Sequence, residues 1–412
     1  MSRLITFTNA FLIDGGGDAP RPDAKVVVEG PCIKEVSTGG RSGGALQGRV
    51  IDLKGKTLMP GLIDMHVHPG NVEPSLTETA KLPPAVYVHR VTRTLETDLA
   101  QGFTTLRDAA GLDVGFKAAI DQGFIKGPRL LLSITPLASS VGYPDQVVPP
   151  RNSLGIKPEV CDGPDQVRQA ARRTLGRGAD QIKVFADGEV VSQSPYDRTG
   201  PGNVKFCREE LSAAVQEARS MGSYVMAHTY CPRAILNCAR AGVHTVEHGN
   251  LLDRETALVM AQQGTCYIPT LTVYDLAVKS ELMPLDDKTR DKLAIVAEKG
   301  LEAVDLAYQA GVTIGSGSDI IGPVQGRKGR ELMLKAQIMS PMEAIVSATR
   351  TNAEIAGLGD QLGTIEAGKL ADLIVVDQDP LQNLQIFEQG LRHVLLVMKE
   401  GVVVKDLLNG AG

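Results

Sequence analysis

Between Pro60 and Gly357 the chain alternates short apolar runs with longer stretches in which apolar residues recur every three to four positions, and no other feature constrains its fold as much. Eight runs read as strands: Leu62 to Val67, Thr104 to Asp108, Arg129 to Ile134, Gln181 to Ala186, Tyr224 to His228, Thr245 to His248, Cys266 to Thr270, and Thr313 to Asp319. Helical patterns separate them, for example over Pro164 to Gly178, Arg208 to Gly222 and Asp286 to Gly311. Eight βα units predict an α/β protein built as a (β/α)8 TIM barrel. An open doubly wound sheet is the alternative, but it would not bring the ends of the first, fourth, fifth, sixth and eighth strands around one point.

Both ends of the chain have another character. Leu4 to Ile13, Ala24 to Val28 and Thr57 to Leu58 alternate like strands broken by turns such as Gly15-Gly16-Gly17, and Ala371 to Val376 and His393 to Lys405 continue in the same style. Chain ends commonly lie close together. Residues 1–58 and 361–412 are therefore expected to pair into a small β-sandwich domain beside a barrel domain of residues 59–360.

Length and 43% apolar content allow a large core spread over more than one compact domain. The net charge of −5, with both signs interspersed, gives no basic stripe for nucleic acid or an anionic membrane, so a small molecule is the expected partner. Six scattered cysteines without a Cys-x-x-Cys pair read as reduced and mostly buried. The opening Met1 to Phe7 lacks a signal-peptide pattern, and no run approaches the roughly 18 apolar residues of a membrane span, which leads to a cytoplasmic expectation.

Function enters through the strand ends. The run Gly61 to Val67 closes on His66-Val67-His68, and a His-x-His in a strand puts two imidazoles on one face. Lys183, His228, His248 and Asp319 also sit at or near the C-terminal ends of their strands, which in a barrel face the mouth where active sites lie. Several neutral imidazoles with an acidic group suit Zn2+ or a similar cation. A lysine held neutral by burial can react with CO2 to give a carbamate whose two oxygens bridge two metals. Taken singly, each residue has a plainer reading: a strand histidine is usually a satisfied core residue, a lysine usually lies on the surface, Asp319 could cap a helix, and Tyr230 could pack on the barrel wall. The ordered set outweighs those readings.

With Met59-Pro60-Gly61-Leu62-Ile63-Asp64 before the histidines and Gly368-Lys369-Leu370-Ala371-Asp372-Leu373-Ile374-Val375 near the close, the chain resembles the amidohydrolase superfamily from end to end. Within it, it is similar to the imidazolonepropionase-related, prolidase-like Xaa-Pro dipeptidases that carry a carboxylated lysine. The resemblance implies two divalent metal ions, Zn2+ by ligand type. His66, His68 and Asp319 would hold one, His228 and His248 the other, and Lys183, as a CO2-derived carbamate, would bridge them. It further implies that Tyr230 polarises the substrate carbonyl. The expected reaction is hydrolysis of an amide bond, in a dipeptide such as Xaa-Pro, an N-acyl amino acid or a related xenobiotic amide, by a metal-bridging hydroxide with Asp319 as proton shuttle. A homo-oligomer is expected, as is common for such barrels. A ring-opening hydrolase or deaminase is the alternative, and a non-catalytic scaffold is less favoured because no ligand is lost.

The resemblance weakens over Pro136 to Gly163, where Ser139-Ser140-Val141-Gly142-Tyr143 stands in place of a Gly-Gly-His type sequence. A long loop at a barrel mouth shapes the substrate pocket, so Tyr143 is assigned to substrate binding and Val147 to the same lining. His89, His244 and His393 read as structural, as do Arg107 and Asp108. Arg327, Lys328 and Arg330 read as a solvated charge run, with capture of a substrate carboxylate as the second reading.

Overall fold

The computed structural model describes residues 4–39, 48–141, 158–188, 190, 201–282 and 287–408. Seven of the eight expected strands form, as Leu62–Val67, Phe103–Asp108, Arg129–Leu132, Ile182–Phe185, Val225–Thr229, Thr245–His248 and Cys266–Ile268. Six of them are buried at every residue, as both faces are covered, the inner by the barrel and the outer by helices. Neighbours pair in parallel, the first three in one sheet and the last four in another that also takes in Leu137–Ala138 and Glu159–Val160.

Two seams join these sheets into a ring. At one, the chain leaving Arg129–Leu132 runs on to Leu137, which pairs with Val184, while Asp180 N donates to Leu132 O at 2.7 Å. The other is residues 313–319, where the sequence predicts a strand and the structure has only a bridge between Tyr267 and Ile314. Hydrogen bonds nevertheless run on both sides of this segment: Tyr267 N to Thr313 O, Gly315 N to Tyr267 O, Met65 N to Ser316 O, and Asp319 N to His66 O. The ladder is irregular because the Asn352 side chain takes part of it. Its Nδ2 donates to Ile63 O and Ser316 O, and its Oδ1 accepts from Ser316 N. The segment also comes too close to the first strand for a side chain at Gly317, whose Cβ would meet His66 Cβ at 2.7 Å.

The helices fall where the periodicity places them, as Pro164–Gly176, Arg208–Ser220 and Asp287–Gln309. Arg208–Ser220, for example, buries Leu211, Ala214, Val215 and Ala218, a stripe of one helix face.

The chain ends do pair, through Thr57–Pro60 antiparallel to Leu373–Val376. Their strands are linked by hydrogen bonds into one sheet of eight strands, which runs from Val402–Asp406 at one edge to Cys32–Ser37 at the other. The expected strand over His393 to Lys405 divides into Val394–Lys399 and Val402–Asp406 around Gly401, whose φ of +74° suits the turn. Alternation along the terminal strands serves two cores. Leu373, Val375, Leu396 and Met398 pack with Phe7, Leu12 and Val26, whereas Ile374, Val376 and Val397 join the core around the barrel. Among the described residues no helix is long and apolar enough to cross a membrane, and Cys161, Cys231, Cys238 and Cys266 are buried.

Candidate metal centre

His66 and His68 share a face of the first barrel strand, and both are buried. Their Nδ1 atoms are committed elsewhere. His66 Nδ1 lies 2.7 Å from Glu247 Oε2, and His68 Nδ1 lies 3.0 Å from the Ala110 carbonyl oxygen. A carboxylate and a carbonyl only accept, so each Nδ1 carries the proton and each Nε2 is left for the site. Both Nε2 atoms point at Asp319 Oδ1, at 3.4 Å from His66 and 3.3 Å from His68. The three residues offer ligand atoms within 4.8 Å of one another.

Asp319 reaches this point through a left-handed backbone, with φ +54°. One buried carboxylate ties the segments that carry the three groups, since Asp64 accepts from His66 N, Ser318 N and Ser318 Oγ. Lys183 projects from the fourth strand, 1% exposed, with Nζ 3.5 Å from His66 Nε2. The His248 ring lies 4.9 Å from that of His66 and 4.5 Å from that of His228. All six residues expected to hold metal are thus brought together.

The donor set fits divalent cations on two observations. Burial first, then neighbouring positive groups, holds His66, His228 and His248 well below the ordinary histidine pKa, so these imidazoles are neutral with lone pairs to offer. Burial opposes the charged form of His68 too, but the Asp319 carboxylate outweighs it and raises that pKa, which marks a point that calls for positive charge. The second observation is His228 Nε2, a buried nitrogen with no hydrogen-bond partner among the described residues. Such an atom is costly unless something coordinates it.

A family model described as Amidohydrolase family matches residues 57–404. The chain belongs to the amidohydrolase family. It is 31% identical over 369 residues to an ochratoxinase of Aspergillus niger, which covers 84% of this chain and 75% of that protein. Among solved structures it is similar to a prolidase complexed with N-methylphosphonate-L-proline, with a TM-score of 0.90 and 33% identity over 98% of this chain and 100% of that one. It is also similar to a Xaa-Pro dipeptidase with bound methionine, with a TM-score of 0.86 and 29% identity over 98% and 100% of the two chains. These likenesses bear out the resemblance read from the motifs and give the ring of strands the TIM-barrel fold with an added domain.

This amidohydrolase site has supports that the sequence reading missed. Glu247 is fully buried and accepts from Arg107 Nη2 at 2.9 Å as well as from Thr245 Oγ1. Arg107 also donates to Met65 O and Thr245 Oγ1, so it acts on His66 through Glu247 and does not pair with Asp108. Strand alternation would put Glu247 and His248 on opposite faces, but His248 has φ +73° and both turn towards His66. Asp187 accepts from Tyr230 N, Cys231 N and Thr229 Oγ1, and burial pushes its pKa up to about 6. It thereby fixes the turn that carries Tyr230. The Tyr230 ring stacks on His248 at 5.3 Å and 19°, and its hydroxyl lies 2.8 Å from that of Tyr274. The signal available for Tyr274 was only its place after the seventh strand.

Other expectations fare differently. Tyr143 and Val147 lie outside the described residues. The run Arg327, Lys328, Arg330 is neither solvated nor open to a substrate carboxylate. Lys328 is 1% exposed and 2.8 Å from Asp98, Arg327 pairs with Glu281 and Glu388, and Arg330 pairs with Asp275 and Glu388. Acids from three other segments converge on these cations, which no local pattern reveals. His244 Nε2 donates to Ile355 O, and His393 meets Asp377; both are structural, and His89 is exposed.

Proposed function

We propose that this amidohydrolase is a binuclear metal-dependent enzyme that hydrolyses the amide bond of a dipeptide such as Xaa-Pro, an N-acyl amino acid or a related xenobiotic amide. The observation that carries the reading is Lys183, a buried lysine 3.5 Å from an imidazole Nε2 and surrounded by further ligand candidates. As a free amine it would add to CO2, forming an N–C bond and releasing one proton, and the carbamate would offer the cations an anionic oxygen ligand. In this reading His66, His68 and Asp319 hold one cation, and His228 and His248 hold the other. Zn2+ suits imidazole and carboxylate ligands of this kind. Likeness to a prolidase and a Xaa-Pro dipeptidase supports a dipeptide, and likeness to an ochratoxinase supports keeping other amides in the class.

When bound, such a metal pair supplies a water nucleophile ionised near neutral pH and an electrophile for the carbonyl oxygen. The remaining steps belong to the chain. Burial alone would raise the Asp319 pKa, but the positive groups around it, the hydrogen-bonded His68 among them, outweigh burial and hold the carboxyl low. As a carboxylate it takes the proton that the attacking water loses and passes it to the leaving nitrogen. Tyr230 donates to the carbonyl oxygen as negative charge grows there. Glu247, anchored by Arg107, keeps His66 in the tautomer that presents Nε2.

The test is amine release across a panel of dipeptides and N-acyl amino acids, Xaa-Pro members included, by protein loaded with zinc and bicarbonate. Cleavage of Xaa-Pro members is the expected result. Silence across the panel from protein holding two metals per chain would overturn the substrate class and turn attention to ring amides.

A further inference from the structure

Three of the four imidazoles at the site have Nδ1 beside a polar partner. His66 has Glu247 Oε2 at 2.7 Å, His68 has Ala110 O at 3.0 Å, and His248 has Thr270 Oγ1 at 2.8 Å. Around His228 stand three rings instead. Phe185 lies at 5.3 Å, Tyr230 at 5.0 Å and His248 at 4.5 Å between ring centres, inclined to the imidazole by 62°, 88° and 69°. Tyr230 and His248 have parts in the reading above, whereas Phe185 has none.

Strand pairing dictates where Phe185 stands. Residues two apart in Ile182–Phe185 share a face, so Phe185 lies on the face of Lys183, while Ile182 and Val184 join the core around the barrel. The register sets Phe185 directly opposite His228 on the parallel neighbour Val225–Thr229, and the bond from Ala186 N to His228 O, at 2.9 Å, holds that register. Phe185 therefore occupies the corner between Lys183, one step back on its own strand, and His228, beside it on the next. It is 7% exposed, and Lys183 Nζ lies over its ring, 5.6 Å from the centre.

Ring chemistry gives this position two effects. An imidazole set edge to face against a benzene ring has a preferred tilt, and this tilt fixes the direction of His228 Nε2, the buried nitrogen without a hydrogen-bond partner among the described residues. The face of a benzene ring carries the negative part of its quadrupole, so it attracts an ammonium and repels a carboxylate. An anionic group formed on Lys183 would thus be turned off the Phe185 face. An aliphatic side chain of similar volume would have neither effect.

We propose that Phe185 is a positioning residue of the second cation site: its ring sets the tilt of the His228 imidazole and turns the anionic group on Lys183 away from its own face, so that both present to one cation. The inference rests on the reading of His228, His248 and carboxylated Lys183 as ligands of that cation. Phe185 has no atom to offer a metal; it acts through His228 and Lys183.

The experiment is zinc titration of the metal-free full chain in bicarbonate against a competing chelator, which reads the affinity of each ion in turn, for the wild type, Phe185→Leu, Phe185→Met and Val184→Ala. Denaturant unfolding of the same metal-free proteins gives their stabilities. The wild type is expected to take up two ions. Phe185→Leu and Phe185→Met, which keep apolar volume without a ring, are expected to bind one ion as the wild type does and the other roughly three- to tenfold more weakly. Val184→Ala, on the opposite face of the same strand, should lower stability and leave both affinities unchanged. Fewer than two ions in the wild type would sink the two-cation reading itself. Two ions in the wild type with unchanged affinities in the ringless variants, or affinities for both ions that fall together, would instead overturn the positioning role and leave that reading standing. The same selective loss in Val184→Ala would also overturn it, since the effect would then belong to the strand and not to the ring.

Discussion

At the scale of single residues, the site is defined by which atoms are committed to partners and which are left over. His66 is typical: Glu247 takes its Nδ1 proton, Arg107 holds Glu247, and only Nε2 remains for the site. Replacing Arg107 with Met would leave a fully buried carboxylate without its counter-charge. We expect a loss of about 3–5 kcal/mol in stability, measured by denaturant unfolding. Asp319→Asn keeps an oxygen at the site but removes the proton acceptor, so metal content should be retained while kcat falls by about 10²–10⁴. Wild-type turnover in that variant would remove Asp319 from proton transfer. Lys183→Ala should lose bound metal, with partial recovery in formate, whose carboxylate can occupy the bridging position.

At the scale of elements, the helix Leu271–Val278 shows how a positioning segment is held from outside. Its own N-cap residue, Thr270, makes no side-chain cap. Glu331 supplies the missing acceptor, taking hydrogen bonds from Leu271 N, Thr272 N and Thr272 Oγ1, with the buried Lys335 as a nearby positive charge. Glu331→Ala should therefore cost about 3 kcal/mol in stability. Because the same helix carries Tyr274, whose hydroxyl lies 2.8 Å from that of Tyr230, turnover should fall further than metal content does. The strands were legible because burial on both faces fills most of their positions with apolar residues, as with Leu62, Ile63, Met65 and Val67 in Leu62–Val67. The eighth was legible by its position, but its irregular ladder was not, since the partner that replaces a strand is a side chain, Asn352, 36 residues away from Ser316. The six residues that meet at the site were legible because histidine, lysine and aspartate are conspicuous at apolar strand ends. Glu247 and Arg107 were not, because their pairing spans 140 residues, and the left-handed His248 breaks the alternation that a strand reading assumes.

At the scale of the whole molecule, the terminal sheet and the barrel share a core. Ile374, Val376 and Val397 pack with barrel residues, and Arg129 of the third barrel strand pairs with Asp372 at 2.7 Å and Glu400 at 2.6 Å. Lys405 adds a bond to Ala100 O at the end of a barrel helix. We therefore expect a single calorimetric transition, and expect Ile374→Ala, at a cost of about 2–5 kcal/mol, to shift that whole transition downwards without splitting it. Two separate transitions in the wild-type chain would contradict the shared core. Whether the mouth of the barrel holds two metal ions is read by elemental analysis of protein prepared with zinc and bicarbonate, for the wild-type chain and Lys183→Ala together. Two metal ions per wild-type chain and one or none in the variant are expected. Two ions in both proteins, or no more than one in the wild type, would contradict a lysine-bridged binuclear centre.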